Sequence, residues 1–320
     1  MPLVDWPLSQ LKEYKPTLTK EADFDVFWGR ALAQSKAIPL NATLTPIPYP
    51  VASVDVYDLV YDGADGTKVH GWYMVPKEAL ASRPMPVVVR YHGYGGSRNR
   101  NELLQWTSMG YATVMIDTRG QSGQTPDNAS YSAGGIAGHM TKGILDPDEY
   151  YYKQVYLDCV RAIDFVCSRE EIDPARIAVC GNSQGGGLTL AVAGLDDRPK
   201  VAMPVFPYLC DFRRSVAQHS AGPYREIIDW FRRYDQEHKR EDEVYRTLSY
   251  FDGMNMATRI KAKTLMAITL MDLICPPSTC FAAFNHLLTE EKEAKIYHDY
   301  GHEGLPFHEE AMMEYLAKHL

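Results

Sequence analysis

The sequence predicts an α/β fold, a mainly parallel central sheet with helices on both faces. Three observations predict it. Short apolar runs that read as buried strands alternate with segments of helical period, the order that produces parallel strands joined by crossover helices. The apolar run 177–180 passes directly into Gly181-Asn-Ser183-Gln-Gly185, and then into a small-residue helical stretch, 188–194. That is a strand, a very tight turn and a helix. An alternating stretch over 51–75, broken by Asp65-Gly66, reads as an antiparallel hairpin that opens the sheet.

Taken in order, residues 1–19 carry Pro2, Pro7 and Pro16 and read as irregular. Thr19 is a candidate cap for a helix over 20–35, whose Phe24, Phe27, Trp28, Ala31 and Leu32 recur at helical spacing and would pack on the body. After the hairpin comes a buried strand, 86–91, and the loop His92-Gly93-Tyr94-Gly95-Gly96. Residues 102–109 have helical character. A strand over 112–116 ends in Asp117-Thr118-Arg119-Gly120-Gln121, and a Gly/Ser/Asn-rich loop runs on to about Asp146. Asp146-Pro147 reads as a helix start, a cap followed by Pro at the first position. Val155, Cys159, Ala162, Ile163 and Val166 mark the buried face of that helix.

Beyond the Gly-x-Ser-x-Gly turn, a strand over 201–206 precedes a mostly helical insertion, 208–258. Its charged run, 232–243, reads as a solvated helix face. A strand at 264–269, a helix at 278–287, a strand at 293–297 and a helix at 307–319 complete the pattern. No stretch carries a second core of its own. Residues 1–320 are therefore expected to form one domain, with 208–258 as a cap over the Ser183 end of the sheet.

Composition excludes several classes. The formal net charge is −8, which argues against nucleic acid or an anionic membrane as the main partner. Six cysteines, Cys159, Cys167, Cys180, Cys210, Cys275 and Cys280, show no CxxC spacing and read as core residues rather than a zinc site or a disulfide frame. No apolar stretch has the length of a membrane span, and the first residues lack a basic region followed by an apolar one. A cytoplasmic location is the expectation.

The turn at 181–185 carries the chemistry. It pushes Ser183 out at the C-terminal edge of the sheet, beside a helix N-terminus whose partial positive charge suits a developing anion. A serine hydroxyl attacks only when a base takes its proton and another group fixes the tautomer of that base. In this strand-turn-helix arrangement the acid and then the histidine follow the serine along the chain. The acid candidate is Asp272, in Leu270-Met-Asp-Leu-Ile-Cys-Pro-Pro277, because a carboxylate among apolar neighbours needs a partner to stay ionised. Asp211, after the preceding strand, competes. The base candidate is His302, between Gly301 and Gly304 just beyond the last strand, with His298 as its rival. His302 and His308 do not make HExxH, so a metalloprotease reading fails, and no metal is expected. An oxyanion would face two backbone N–H groups. One is that of Gln184, the residue after the nucleophile. The other comes from the 92–96 loop, from Tyr94 or else Gly95.

Several stretches besides Gly181-Asn-Ser-Gln-Gly185 then converge. They are Arg119-Gly120-Gln121, Gly138-His-Met-Thr-Lys-Gly-Ile-Leu-Asp-Pro147, Arg246-Thr-Leu-Ser-Tyr-Phe-Asp-Gly253, Met271-Asp-Leu-Ile-Cys-Pro-Pro-Ser-Thr279 and His302-Glu303. Together they resemble the acetyl xylan esterases and cephalosporin-C deacetylases of carbohydrate esterase family seven, over nearly the whole chain. The resemblance implies an α/β-hydrolase that needs no cofactor, with the triad Ser183, Asp272 and His302 and backbone donors at Tyr94 and Gln184. It implies that Arg119, Gly120 and Gln121 brace the turn, and that Pro223 faces Tyr94 across a narrow acyl slot. It further implies small acetylated substrates, acetylated xylo-oligosaccharides and cephalosporin C among them, and a cytoplasmic homo-hexamer. The alternative is another activity on the same fold, a general carboxylesterase or a peptidase. One departure is Gly304-Leu305-Pro306, where relatives often carry more glycine.

Overall fold

The computed structural model describes residues 4–77, 84–132, 134–218 and 221–320. In chain order the elements are α1 (Leu8–Glu13), α2 (Phe24–Ala37), β1 (Thr43–Ile47), β2 (Val54–Asp62), β3 (Lys68–Pro76), β4 (Met85–Tyr91), α3 (Leu104–Ser108), β5 (Ala112–Ile116), α4 (Tyr151–Cys167), β6 (Ile172–Asn182) and α5 (Gln184–Leu195). Then follow β7 (Val201–Val205), α6 (Phe212–Ala217), α7 (Arg225–Tyr234), α8 (Glu241–Ser249), α9 (Gly253–Ala257), β8 (Lys263–Thr269), α10 (Pro277–His286), β9 (Lys292–Tyr297) and α11 (His308–His319).

Among the described residues the strands form one nine-stranded sheet in the order β1-β2-β3-β5-β4-β6-β7-β8-β9. The first four positions are joined antiparallel. From β5 through β4, β6, β7, β8 and β9 every pairing is parallel. Alternation puts successive side chains of β3 on opposite faces. Val69, Tyr73 and Val75 join the main core, whereas Met74 and its neighbour Trp72 join a smaller cluster with Leu103 and Leu104. α4, α5, α9 and α10 pack together, while α3 rests on β3 and β5, and α11 on β7 and β8. All of α5 is buried, and so is most of α4. Helices thus cover both faces, as the alternation of elements predicts.

Five local readings need correction. Residues 8–13 form α1 rather than irregular chain, held at its start by Pro7 O, which accepts Leu11 N–H at 3.0 Å. β1 was not foreseen. It is an exposed edge strand containing Pro46, so it lacks the buried alternation that marks a strand. α2 begins at Phe24, not Lys20, and Thr19 does not cap it. The Thr19 hydroxyl instead accepts the Asn255 amide at 3.0 Å. α4 begins at Tyr151, well after Asp146-Pro147. Asp146 closes a turn there, its side chain accepting Asp148 N–H at 2.8 Å and its carbonyl Tyr150 N–H at 2.9 Å. The helix start is set by the buried run Tyr150, Tyr151 and Tyr152. The charged run 232–243 is likewise not one helix face. It spans the joint between α7 and α8, where the Asp235 carboxylate accepts Lys239 and Arg240 N–H groups at 2.9 and 2.7 Å.

Parallel pairing delivers all the C-terminal strand ends to one edge. Tyr91 pairs with Gly181, and Asn182 with Val205. The loops after β4 and β7 therefore flank Ser183. Those after β8 and β9 stand next along the same edge, since Thr269 pairs with Tyr297.

Candidate active site

Ser183 adopts φ 56° and ψ −118°, a region that costs a non-glycine residue about 1–3 kcal/mol and persists only when its surroundings impose it. The surroundings are on hand. Ser183 N–H donates to Val205 O at 2.9 Å, and Ser183 O accepts Gly187 N–H at 3.0 Å and Tyr208 N–H at 2.9 Å. The flanking glycines are steric necessities. A Cβ on Gly185 would lie 2.1 Å from Tyr91 O, and one on Gly181 would lie 2.6 Å from both Tyr91 O and the Gly185 carbonyl carbon. The strand-to-helix turn is therefore as tight as its glycine spacing predicts.

Asp272 and His302 meet at the same edge. Asp272 is fully buried, and both its oxygens are used. Oδ1 accepts Ile274 N–H at 2.7 Å and Cys275 N–H at 2.8 Å, and Oδ2 accepts the Thr269 hydroxyl at 3.2 Å. His302 Nδ1 lies 2.8 Å from Asp272 Oδ2. An ionised carboxylate only accepts, so Nδ1 carries the proton and Nε2 keeps its lone pair. The imidazole packs on the Phe206 ring with centroids 4.7 Å apart, beside the chain that follows β7. The Cys275 thiol also sits here, and burial pushes its pKa up while a hydrogen bond with the Ser183 side chain opposes that. Among the described residues, Asp272, Cys275 and His302 are the group of potential metal ligands, with ligand atoms within 4.8 Å of one another. The hydrogen bonds just given occupy both Asp272 oxygens without an ion.

The rival residues lie elsewhere. Asp211 has a left-handed backbone (φ 43°) and caps α6, and its Oδ2 accepts the Tyr14 hydroxyl at 2.8 Å. His298 is exposed just past β9.

The 92–96 loop is held by its own histidine. His92 Nε2 accepts Thr118 N–H at 2.9 Å, so Nδ1 bears the hydrogen and donates to Gly93 O at 2.8 Å. Burial lowers the His92 pKa and keeps the ring neutral for this role. Gly93 O also accepts Gly96 N–H at 3.0 Å. In a trans peptide the C=O and N–H point in opposite directions, so anchoring Gly93 O turns Tyr94 N–H the other way. Among the described residues neither Tyr94 N–H nor Gln184 N–H has a backbone partner. Gly95 N–H is engaged, by Gln121 Oε1 at 2.8 Å. Of the two open choices for the second donor, the geometry therefore favours Tyr94.

Arg119-Gly120-Gln121 ties this loop to the turn. The Gln121 and Gln184 amides exchange hydrogen bonds at 2.8 and 3.1 Å. Gln184 Oε1 also accepts the Tyr152 hydroxyl at 3.0 Å. Gly120 has φ +65° and donates its N–H to Thr125 O at 2.9 Å. Arg119 is fully buried, paired with Asp158 at 2.8 Å and Asp65 at 2.7 Å, and its carbonyl accepts the Tyr151 hydroxyl at 2.5 Å.

From 208–258, the segment around Pro223 reaches the acid loop. Ala221 N–H donates to Leu273 O at 3.0 Å, and Pro223 lies half-buried in a single 3-10 turn, Gly222–Tyr224. Sequence reasoning missed two residues here. His92 opens the loop that was singled out, and a ring beside three glycines was its only signal. Glu226, whose carboxylate accepts the Tyr94 hydroxyl at 2.6 Å across 132 residues, has no local signal at all.

A mainly parallel sheet, a strained serine between strand and helix, and an acid–imidazole pair at the same edge define an α/β-hydrolase. Comparison with known proteins narrows that class. The family model Acetyl xylan esterase (AXE1) matches residues 1–319, and the chain belongs to this family of carboxylic-ester hydrolases. Among solved structures it is similar to the acetyl xylan esterase from Paenibacillus sp. R4, at 66% identity and TM-score 0.96, over 98% of this chain and 100% of the other. It is also similar to acetyl xylan esterase 1 from Thermoanaerobacterium sp. JW/SL YS485, at 36% identity and TM-score 0.93, over 98% and 99%. A curated relative, acetyl esterase Axe7A of Xylanibacter ruminicola, is 29% identical over 291 residues, 88% of this chain. The chain spans 63% of that relative's length.

Proposed function

We propose that the protein is a serine esterase that removes acetyl groups from acetylated xylo-oligosaccharides and other small acetyl esters, cephalosporin C among them. The observation that carries this reading is the buried Asp272 holding His302 Nδ1 at 2.8 Å, at the strand edge where Ser183 is forced into its strained turn. Likeness to acetyl xylan esterases over the full chain supports the substrate class.

His302 Nε2 takes the Ser183 hydroxyl proton as Oγ bonds to the acetyl carbonyl carbon. The carbonyl oxygen becomes an oxyanion facing Tyr94 and Gln184 N–H groups. The imidazolium, stabilised by Asp272, then protonates the departing alcohol, leaving acetyl-Ser183. Water repeats the sequence, with His302 again as base, and releases acetate. Within this reading, residues 1–320 act as one domain with 208–258 roofing the site. Tyr94 and Pro223 then wall a slot that admits a methyl group and penalises longer chains by about tenfold to hundredfold. A cytoplasmic homo-hexamer belongs to the same proposal and rests on the family resemblance. Light scattering giving a stable monomer of 36.1 kDa would overturn the assembly.

The decisive test is acetate release from acetylated xylo-oligosaccharides and cephalosporin C by the wild type and Ser183→Ala. The variant is expected to lose about a thousandfold or more in kcat with its fold intact. Near-normal hydrolysis would end the serine reading. Wild-type release from p-nitrophenyl acetate but from neither natural substrate class would end the substrate reading. Octanoate and acetate esters cleaved equally well, with no change in Pro223→Ala, would remove the slot.

A further inference from the structure

We propose that Glu226 is a positioning residue for the esterase reaction, one that anchors the Tyr94 ring from the α7 side and so holds Tyr94 N–H in line with the oxyanion. The inference rests on the reading of Tyr94 and Gln184 as the oxyanion donors.

Glu226 lies in the first turn of α7, and its carboxylate ties that helix to two segments distant in sequence, at Tyr94 and at 139–140. Oε1 accepts the Tyr94 hydroxyl at 2.6 Å. Oε2 accepts Met140 N–H at 2.9 Å. The Tyr94 hydroxyl oxygen itself accepts His139 N–H at 2.6 Å. Both bonds to Glu226 are charge-assisted, the stronger kind. Gly138 makes the docking possible. It has φ +115°, and a Cβ there would fall 2.2 Å from the Glu226 carboxyl carbon, so any side chain at 138 would expel the carboxylate.

The 92–96 loop needs such an anchor. It contains Gly93, Gly95 and Gly96, and glycine supplies little conformational restraint of its own. Four ties hold it. His92 fixes Gly93 O, Gln121 fixes Gly95 N–H, the Ser122 hydroxyl donates to Gly95 O at 2.6 Å, and Tyr94, between the two backbone anchors, is fixed through its ring. That ring packs edge-on to His139 and Tyr208, with centroids 5.5 and 6.4 Å away, so Glu226 stops it sliding along its own plane. Burial raises the Glu226 pKa, while the Tyr94 hydroxyl and the Met140 and His139 N–H groups oppose the shift. Burial also raises the Tyr94 phenol, which keeps it a donor.

The test compares Glu226→Ala, Glu226→Gln, Tyr94→Phe and the Tyr94→Phe/Glu226→Ala pair on p-nitrophenyl acetate, with methylboronic acid as a tetrahedral mimic. Tyr94→Phe keeps the ring and the backbone N–H, and removes only the contact. Loss of a whole oxyanion donor costs about a hundredfold to a thousandfold in kcat, so misaiming one is expected to cost about tenfold to hundredfold. KM should stay within about threefold, because the donor acts on the transition state. Boronate affinity should weaken by the same factor as kcat. Glu226→Gln, which keeps one acceptor oxygen, should fall between, and the double variant should lose no more than the worse single one. If Glu226→Ala fails to fold, Tyr94→Phe and Glu226→Gln carry the same comparison. Folded variants with kcat unchanged, losses that multiply in the double variant, or a KM effect alone would overturn the proposal. Ser183→Ala measured alongside separates the two readings. An inactive Ser183→Ala with an unaffected Glu226→Ala removes only the role of Glu226, whereas an active Ser183→Ala removes the reading beneath it.

Discussion

Two buried carboxylates stand near the same edge of the sheet and differ in one kind of partner. Asp272 follows β8, and Asp252 ends the loop before α9. Both are almost wholly shielded from solvent, and both collect backbone N–H groups. Asp252 accepts those of Asp211, Phe212 and Met254 at 2.8, 3.1 and 2.9 Å. It caps α9, and its near neighbour is a second acid, Asp211. Burial and that neighbour push its pKa up to about 7. Asp272 accepts two N–H groups and a hydroxyl, and its remaining position goes to the His302 imidazole. Two carboxylates so alike in burial thus take different work, because one has a proton-carrying side chain opposite it and the other has only main chain. Burial alone does not separate the two carboxylates, and the fourth partner does.

The sharpest way to break this contrast is Asp272→Asn. An amide keeps the shape but no longer stabilises an imidazolium or enforces the tautomer. The expected fall in kcat is about a thousandfold to ten-thousandfold, with a small change in melting temperature. A loss under tenfold would show that Asp272 is as structural as Asp252.

Asp252→Ala should do the reverse. Three N–H groups would lose their acceptor, at a cost of about 3 kcal/mol, read as a fall in melting temperature of about 6 °C or more. The kcat of the folded protein should stay within about threefold, since the site is separate. A collapse of kcat at unchanged stability would erase the distinction.

The pH dependence sharpens it further. In the unfolded chain Asp252 ionises near the ordinary value for aspartate, whereas the folded protein holds its proton up to about 7. Over that interval the native state binds the extra proton, so this group makes stability fall as pH rises from about 4 through 7. Relative to Asp252→Asn, which cannot titrate, the wild type should lose about 4 kcal/mol across the window, roughly 8 °C. Parallel melting curves for the two proteins between pH 4 and 8 would show that Asp252 is ionised throughout.

The smallest expected effect belongs to Thr269→Val, which removes the 3.2 Å hydroxyl contact to Asp272 Oδ2 and keeps the volume. A loss of about threefold in kcat is expected, with KM unchanged, in line with about 0.5–1 kcal/mol for one hydrogen bond. A hundredfold loss would mean that this hydroxyl, and not the imidazole, sets the acid's orientation.

Much of this protein is legible from local pattern. The order of buried strands and helices, the hairpin at Asp65-Gly66 and the turn at 181–185 all follow from side-chain period and from where only glycine fits. Chain order after the serine nominates Asp272 and His302, and the fold brings those two side chains together at 2.8 Å. Local pattern fails where it is faint. α1 is short and sits between prolines, β1 is an exposed edge, and Asp146-Pro147 has the chemistry of a helix start yet closes a turn, because the aromatic run behind it decides where the helix begins. What tertiary structure alone decided lies in contacts between segments far apart. Sheet order set β8, and not β7, beside β9, and so left Asp272 rather than Asp211 for His302. Gln121 reached Gln184 across 63 residues, and Glu226 reached Tyr94 across 132. A hydrogen bond between such residues leaves no periodic trace in the chain, because its geometry depends on how whole layers pack. The sequence by itself determined which groups are available for chemistry, and the packing of the layers decided which of them meet.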